Sequence, residues 1–148
     1  MHGENGIVSK TANKISTINK PTMFANLKAF SGFSVDNLQK AKAFYSNVLG
    51  LRVTESPMGL LELLIEGGNK IIVYPKPNHV AATFTILNFP VENIDEAVDQ
   101  LNQKGIFFEQ YEEPIKTDEK GICRNPHGPF IAWFKDPSGN ILSVIQEN

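Results

Sequence analysis

Few side chains in this sequence have the type and spacing to do chemistry. His79 follows Pro75, Lys76 and Pro77, and His127 stands beside Asn125 and Pro126. A metal site built on these two would need a third donor converging from Glu109, Asp118 or Glu119, because such centres take three or four imidazole, thiolate or carboxylate ligands. No helical His pair or other ligand spacing points to that convergence, and isolated surface-loop histidines are the plainer reading. Cys123 is the one cysteine, which rules out an intrachain disulfide and suits a reducing cytoplasm. Arg124 would activate its thiol only if the two side chains met, and neighbours in an extended segment point apart, so an inert thiol is expected. There is no Gly-x-Ser-x-Gly, no cysteine with an evident base and no phosphate-binding glycine loop. Acid–base work stays open through Glu62, Tyr74, Lys28 and Asn88, which fall on expected strands. A carboxylate against an apolar wall has its pKa raised by desolvation and can act as a base. For Glu62 an edge or solvent-facing position is the competing assignment.

These residues need a scaffold, and length and composition bound it. A chain of 148 residues suits one domain, and 41% hydrophobic with 20% charged residues describes a globular one. A formal net charge of −2 without a basic run gives no footprint for nucleic acid or anionic lipid. No apolar stretch approaches the roughly 20 residues of a membrane span. Residues 1–22, rich in Lys, Asn, Ser and Thr, lack the apolar block and cleavage site of a secretory signal and read as a disordered N-terminal extension.

From about residue 23 the chain is patterned. Ala25–Phe33 reads as a strand. Leu38, Ala41, Phe44, Tyr45 and Val48 mark one face of a helix capped by Asp36 or Asn37 and ended by Gly50. Strands at Leu51–Ser56, Leu60–Ile65 and Lys70–Tyr74 follow, the last after the turn Gly67, Gly68, Asn69. The second half repeats this order. Ala82–Phe89 is a strand, and Ile94, Ala97, Val98 and Leu101 mark a helix with Asn93 and Glu96 as a capping box and Gly105 as its end. Strands at Ile106–Tyr111, Phe130–Phe134 and Ile141–Ile145 complete it. Phe33–Leu38 matches Phe89–Ile94 residue by residue, so the pattern predicts a duplicated βαβββ unit, with modules at about 23–77 and 78–148. The polar run Glu112–Gly128 is long for a connection without structure; it is either a solvated loop or a lid.

The last hairpin bears on any cavity. With Asp136 to Gly139 as its loop, Lys135 faces Asn140 and Ser143 points the same way as Ala132, flanked by Phe130, Phe134, Ile141 and Ile145. Ile131, Trp133, Leu142 and Val144 then share the opposite face. Both faces are apolar, so both need covering. One lies under the helices, and the other lines a cavity, a dimer contact or both.

Three segments carry a family resemblance. Phe33 to Leu51 (FSVDNLQKAKAFYSNVLGL) resembles the opening signature of the vicinal-oxygen-chelate superfamily, the glyoxalase/bleomycin-resistance/extradiol-dioxygenase group. FPVENIDEAVDQLNQKGI is similar to its second-half counterpart, and FKDPSGNILSVIQE to its closing Asp-Pro-x-Gly-Asn strand. The similarity spans about residues 25–147. It implies an α+β fold of two βαβββ modules forming an open, cupped mixed sheet with the ligand inside the cup. It also implies metal ligands at four corners, a His seven residues before each helix cap and a Glu three residues after the final turn's Asn, with their repeat equivalents. In this chain those positions are Phe30, Ile72, Ile86 and Ser143. Phe and Ile offer no lone pair, and a neutral Ser is a poor ligand. No one-residue slip of the alignment supplies better than Ser31 or Thr85.

The resemblance with these corners implies a metal-independent small-molecule binder with no cofactor. A partly apolar or aromatic ligand would lie among Phe30, Ile72, Ile86, Ser143, Asn88, Tyr74, Phe130 and Phe134. An enzyme of lyase, isomerase or dioxygenase type with a remodelled or metal-free site is the second reading. A dimeric structural or interaction module is the third, since homodimers are common among the proteins it resembles.

Overall fold

The computed structural model describes residues 23–148, and the expected N-terminal extension lies outside the described residues. After a 3-10 turn at Met23–Asn26 come β1 (Gly32–Val35), α1 (Leu38–Ala43, continued as a π-helical turn over Phe44–Val48), β2 (Arg52–Glu55), β3 (Leu61–Leu64) and β4 (Ile71–Pro75). The second half gives β5 (Thr85–Pro90), α2 (Ile94–Gln103), β6 (Ile122–Arg124), β7 (Phe130–Lys135) and β8 (Ile141–Gln146). The helices start where the sequence says. Asn37 and Asn93 are extended, and each side-chain carbonyl accepts the N–H three residues on, at 3.0 and 3.1 Å. Both helices stop at a glycine with positive φ, Gly50 (72°) and Gly105 (87°), a conformation that costs a side chain dearly.

The strands form two four-stranded mixed sheets with the same order, β1-β4-β3-β2 and β5-β8-β7-β6. In each, the first and last strands of the module pair in parallel and the rest are antiparallel. Gly32 lies opposite Ile72, and at the same place in the second module Asn88 lies opposite Ser143. The duplication is therefore visible in register as well as in element order. The face of each sheet turned to the helices builds one shared core, including Val35, Tyr45, Leu61, Leu63 and Val73 from the first module and Ile94, Val98, Phe134, Leu142 and Val144 from the second.

Three expected elements differ. The first strand begins at Gly32 rather than Ala25; ahead of it, residues 23–31 are exposed, and Ala29 and Ser31 touch the sheet through their carbonyls, which accept from Asn69 Nδ2 and Ile72 N. Residues 106–111 form no strand of their own, although Glu109 N–H donates to Trp133 O at 2.8 Å. The next position along β7, Ala132, pairs with Ile122. The sheet edge is therefore shared by two pieces of chain, and residues 110–121 leave the sheet between them. The third difference is the register of β7 and β8. Lys135 pairs with Ile141 rather than Asn140, and Trp133 rather than Ala132 with Ser143, because the loop runs from Asp136 to Asn140 and is closed by Asp136 N–H on Asn140 O (3.0 Å). A one-residue slip reverses every side chain. Phe130 and Phe134, expected to line the cup, instead share the helix-facing side with Ala132, Leu142 and Val144, and Phe134 is fully buried.

Candidate functional site

The faces turned away from the helices are the surfaces left for a ligand. On the first sheet the alternation puts Gly32, Ser34, Glu62, Leu64, Ile72 and Tyr74 there. On the second it puts Asn88, Ile131, Trp133, Ser143 and Ile145 there. Ile72, Leu64, Ile131, Trp133 and Ile145 are half-buried, and Tyr74 is 39% exposed, so none of the described residues covers these apolar groups fully. Ser34, Glu62, Asn88, Trp133 and Ser143 each have a side-chain hydrogen-bond partner. Ser143 Oγ, itself fully buried, donates to Asn88 Oδ1 at 2.5 Å. Trp133 Nε1 donates to Thr85 Oγ1 at 3.1 Å, and Tyr111 stands edge-on to the same indole with centroids 5.4 Å apart. Glu62 takes a 3.2 Å ion pair from Lys70 and a 3.4 Å bond from Thr54, which makes it half of a surface ion pair rather than a carboxylate isolated on an apolar wall. Trp133 and Ile131 are the members that the shifted β7–β8 register hid from the sequence, and Tyr111 joins them from outside any strand.

The remaining expected positions scatter. Phe30 is 61% exposed and outside any strand. Ile86 is the extra residue where β5 bulges, since Thr85 pairs with Ile141 but Leu87 with Leu142. Its side chain lines a cleft of about 290 Å³ between the modules, beside Phe33 and Ile71. Ile72 and Ser143 occupy equivalent places on different sheets. Lys28 is exposed ahead of β1.

A network of short hydrogen bonds locks the modules at that cleft. Tyr45 Oη donates to Asp136 Oδ2 at 2.7 Å, and burial beside this carboxylate raises the phenol's pKa well above its ordinary value. Asn140 Nδ2 donates to Asp136 Oδ2 (3.1 Å) and to Ser34 O (2.9 Å), while Ser138 Oγ donates to Asp36 Oδ1 (2.7 Å). His79, expected as an isolated surface histidine, is part of the network. Nδ1 lies 2.6 Å from Ser34 Oγ and Nε2 lies 3.0 Å from Ser138 O.

The excursion at 110–121 is held down as well. Asp118 Oδ1 accepts Lys120 N and Ile122 N (both 2.9 Å), and its Oδ2 accepts Arg124 Nε (2.9 Å). Arg124 and Lys120 both reach Asp95 on α2 (2.7 and 3.1 Å), and Lys120 also reaches Asp99 (3.0 Å). Asp95 is kept below its ordinary pKa by Arg124 first and Lys120 second. Arg124 stacks over Phe130 at 5.5 Å and points away from any role as an activator of the half-buried Cys123.

With fold and geometry in place, the comparisons agree on ancestry. The family model described as "Glyoxalase/Bleomycin resistance protein/Dioxygenase superfamily" matches residues 30–144. The chain belongs to that superfamily. No curated protein matches it. Similar solved structures include a superfamily member from Sphaerobacter thermophilus (21% identity, TM-score 0.63, 82% of this chain and 97% of that one). An antibiotic-binding protein from Streptomyces sp. CB03234 is similar at 19% identity and TM-score 0.60, over 80% and 93% of the two chains. A lactoylglutathione lyase from Agrobacterium tumefaciens is similar at 21% identity and TM-score 0.59, over 86% and 96%. At these identities the likeness establishes the fold.

The metal that such a fold implies can be tested against the donors. Ile72 and Ile86 have none, Phe30 has none and stands in solvent, and Ser143 Oγ is already committed to Asn88. Among the described residues no three His, Cys, Asp or Glu side chains come together in a way that could hold a metal ion. The four positions do not fit the group, and no step is routed through it. No helix among the described residues is long and apolar enough to cross a membrane.

Proposed function

We propose that this chain is a small-molecule-binding protein of the superfamily that works without a resident metal, holding an apolar or aromatic ligand against the helix-free face of its sheets. The observation that carries this reading is the donor set at the corner positions. Ile72 and the Ser143–Asn88 pair can offer van der Waals contact and one neutral polar contact to a ligand, but no charge to polarise it. The half-buried indole of Trp133 beside Ile131 and Ile145 supplies a flat apolar surface, and Tyr74 is an aromatic on the equivalent face of the first sheet. The similar antibiotic-binding protein from Streptomyces supports the class of activity; the lyase relative supports the enzyme alternative, which lacks its electrophile here. A homodimer belongs to the same reading, because a second copy would cover apolar faces that the described residues leave half-open. A reducing, cytoplasmic setting suits the unpaired Cys123.

Native mass spectrometry with elemental analysis tests the proposal. The expected result is no stoichiometric Zn, Ni, Mn or Fe, together with quenching of Trp133 fluorescence by planar aromatic ligands. A stoichiometric transition metal on the purified protein, or ligand binding unaffected by Trp133→Ala, would overturn it.

A further inference from the structure

We propose that Ser34 and His79 form a nucleophile–base pair for acyl transfer, acting on a small ester with an apolar acyl group bound in the cleft between the modules. Ser34 shares the helix-free face of the first sheet but stands at its β1 edge, where the cleft opens, and the proposal does not depend on ligand binding at Trp133 on the second sheet. Three geometric facts support it. Ser34 Oγ lies 2.6 Å from His79 Nδ1. His79 Nε2 lies 3.0 Å from the carbonyl of Ser138, which can only accept. The proton of the neutral ring therefore sits on Nε2, Nδ1 is left as the acceptor, and the Ser34 hydroxyl donates to it. The base is in turn held by a third group, the arrangement that activates a serine. The carbonyl that orients it is fixed, since Ser138 donates through N to Asp136 Oδ1 (2.9 Å) and through Oγ to Asp36 Oδ1 (2.7 Å).

The surroundings suit the chemistry. Ser34 lines the cleft of about 290 Å³, whose walls include Phe33, Ile71, Ala82, Phe84 and Ile86. That volume is near the lower end for small-molecule sites, which run from about 300 Å³ upward, and the walls would take an aliphatic or small aromatic acyl chain. An oxyanion donor is placed by the sheet. β1 is an edge strand that gives the carbonyls of Ser31 and Val35 to Ile72 N and Lys76 N of the β4 side. Alternation turns the backbone of Ser34 to the open edge, where its carbonyl already accepts Asn140 Nδ2. The Ser34 amide N–H faces that same edge, at the nucleophile itself.

The step balances without any further reagent than water. Ser34 Oγ attacks the ester carbonyl carbon and gives its proton to His79 Nδ1. The tetrahedral oxyanion forms against Ser34 N–H, then collapses with cleavage of the acyl C–O bond, and the departing alkoxide takes the proton from Nδ1. Water next attacks the acyl-serine, loses a proton to Nδ1 and releases the carboxylic acid as Ser34 Oγ is reprotonated. One ester and one water give one acid and one alcohol.

The test is labelling of the folded full chain with diisopropyl fluorophosphate, read by intact mass and peptide mapping, beside hydrolysis of p-nitrophenyl butyrate. One adduct at Ser34 is expected, with slow ester turnover. His79→Gln should cut both rates by about 10²-fold or more, the usual worth of a positioned base. Ser34→Ala should take no label while its circular dichroism stays that of the parent. No adduct at Ser34 in the folded parent protein, under conditions that fully label a serine hydrolase, would overturn the proposal. So would an adduct whose rate is indifferent to His79→Gln in a variant that keeps the parent's circular dichroism, and labelling of the parent chain decides the proposal even if a variant fails to fold.

Discussion

Tyr45 shows how one hydroxyl ties the two modules. It is fully buried on α1, and its partner, Asp136, belongs to the loop between β7 and β8. Tyr45→Phe keeps the ring's contacts with Phe33 and Phe44 and removes the bond to Asp136. Asp136 retains Ser138 N, Asn140 N and Asn140 Nδ2 as donors. The expected loss is about 1–3 kcal/mol, the usual cost of removing one partner from a buried, charge-assisted hydrogen bond, measured by urea unfolding. A loss near zero would mean that this contact does not join the modules. At this scale the sequence was partly legible. The Asp-Pro-x-Gly-Asn run marks the loop, and Asn37 and Asn93 mark the caps, because each acts on backbone within a few residues. The partnership of Ser34 with His79 was not legible, since the two lie 45 residues apart and meet only through the module junction. A histidine after a Pro-rich link looks like surface until the second module is folded against it.

The β7–β8 register decides which aromatic does what. Phe134 faces α2 and is fully buried, whereas its neighbour Trp133 lies on the opposite, half-open face. Phe134→Ala should cost about 3–5 kcal/mol in unfolding free energy, as deletion of a buried aromatic does, with Trp133→Ala costing clearly less while abolishing ligand-dependent fluorescence or binding. Equal losses from the two would restore the register expected from sequence, in which Phe134 lines the cup. Strand alternation was readable along both segments, but the phase between them was set by a five-residue loop closed by Asp136 and Asn140, and period-2 patterning does not encode loop length. The excursion at 110–121 is an element-scale feature with a pH signature. Arg124 and then Lys120 hold Asp95 below its ordinary carboxylate pKa of 3.8, so the pairing stabilises the fold above that pH and is lost as pH falls through the lower, folded value. Limited proteolysis within 110–121 should therefore be slow at neutral pH and accelerate below about pH 4, when read with an acid-stable protease. Asp95→Asn should show the faster cutting at neutral pH already.

At the scale of the molecule, each module repeats one topology, and the helix sides of both fuse into a single core. Among the described residues, that arrangement leaves two apolar sheet faces with no element laid over them. The first sheet offers Leu64, Ile72 and Tyr74, the second Ile131, Trp133 and Ile145. Exposed apolar surface of this kind in a folded protein marks a binding or association surface. The expected state is a dimer of twice 16.4 kDa by light scattering, in which the second copy closes over these faces and encloses the ligand. Ile131→Glu places a charge on the second face without touching the helix-side core, so it should return the protein to a monomer with nearly unchanged secondary structure, and ligand binding should fall with dimer content. If Ile131→Glu stays dimeric, the copies meet elsewhere. A monomeric parent protein that still binds aromatic ligands would mean that one chain's sheet face is sufficient by itself.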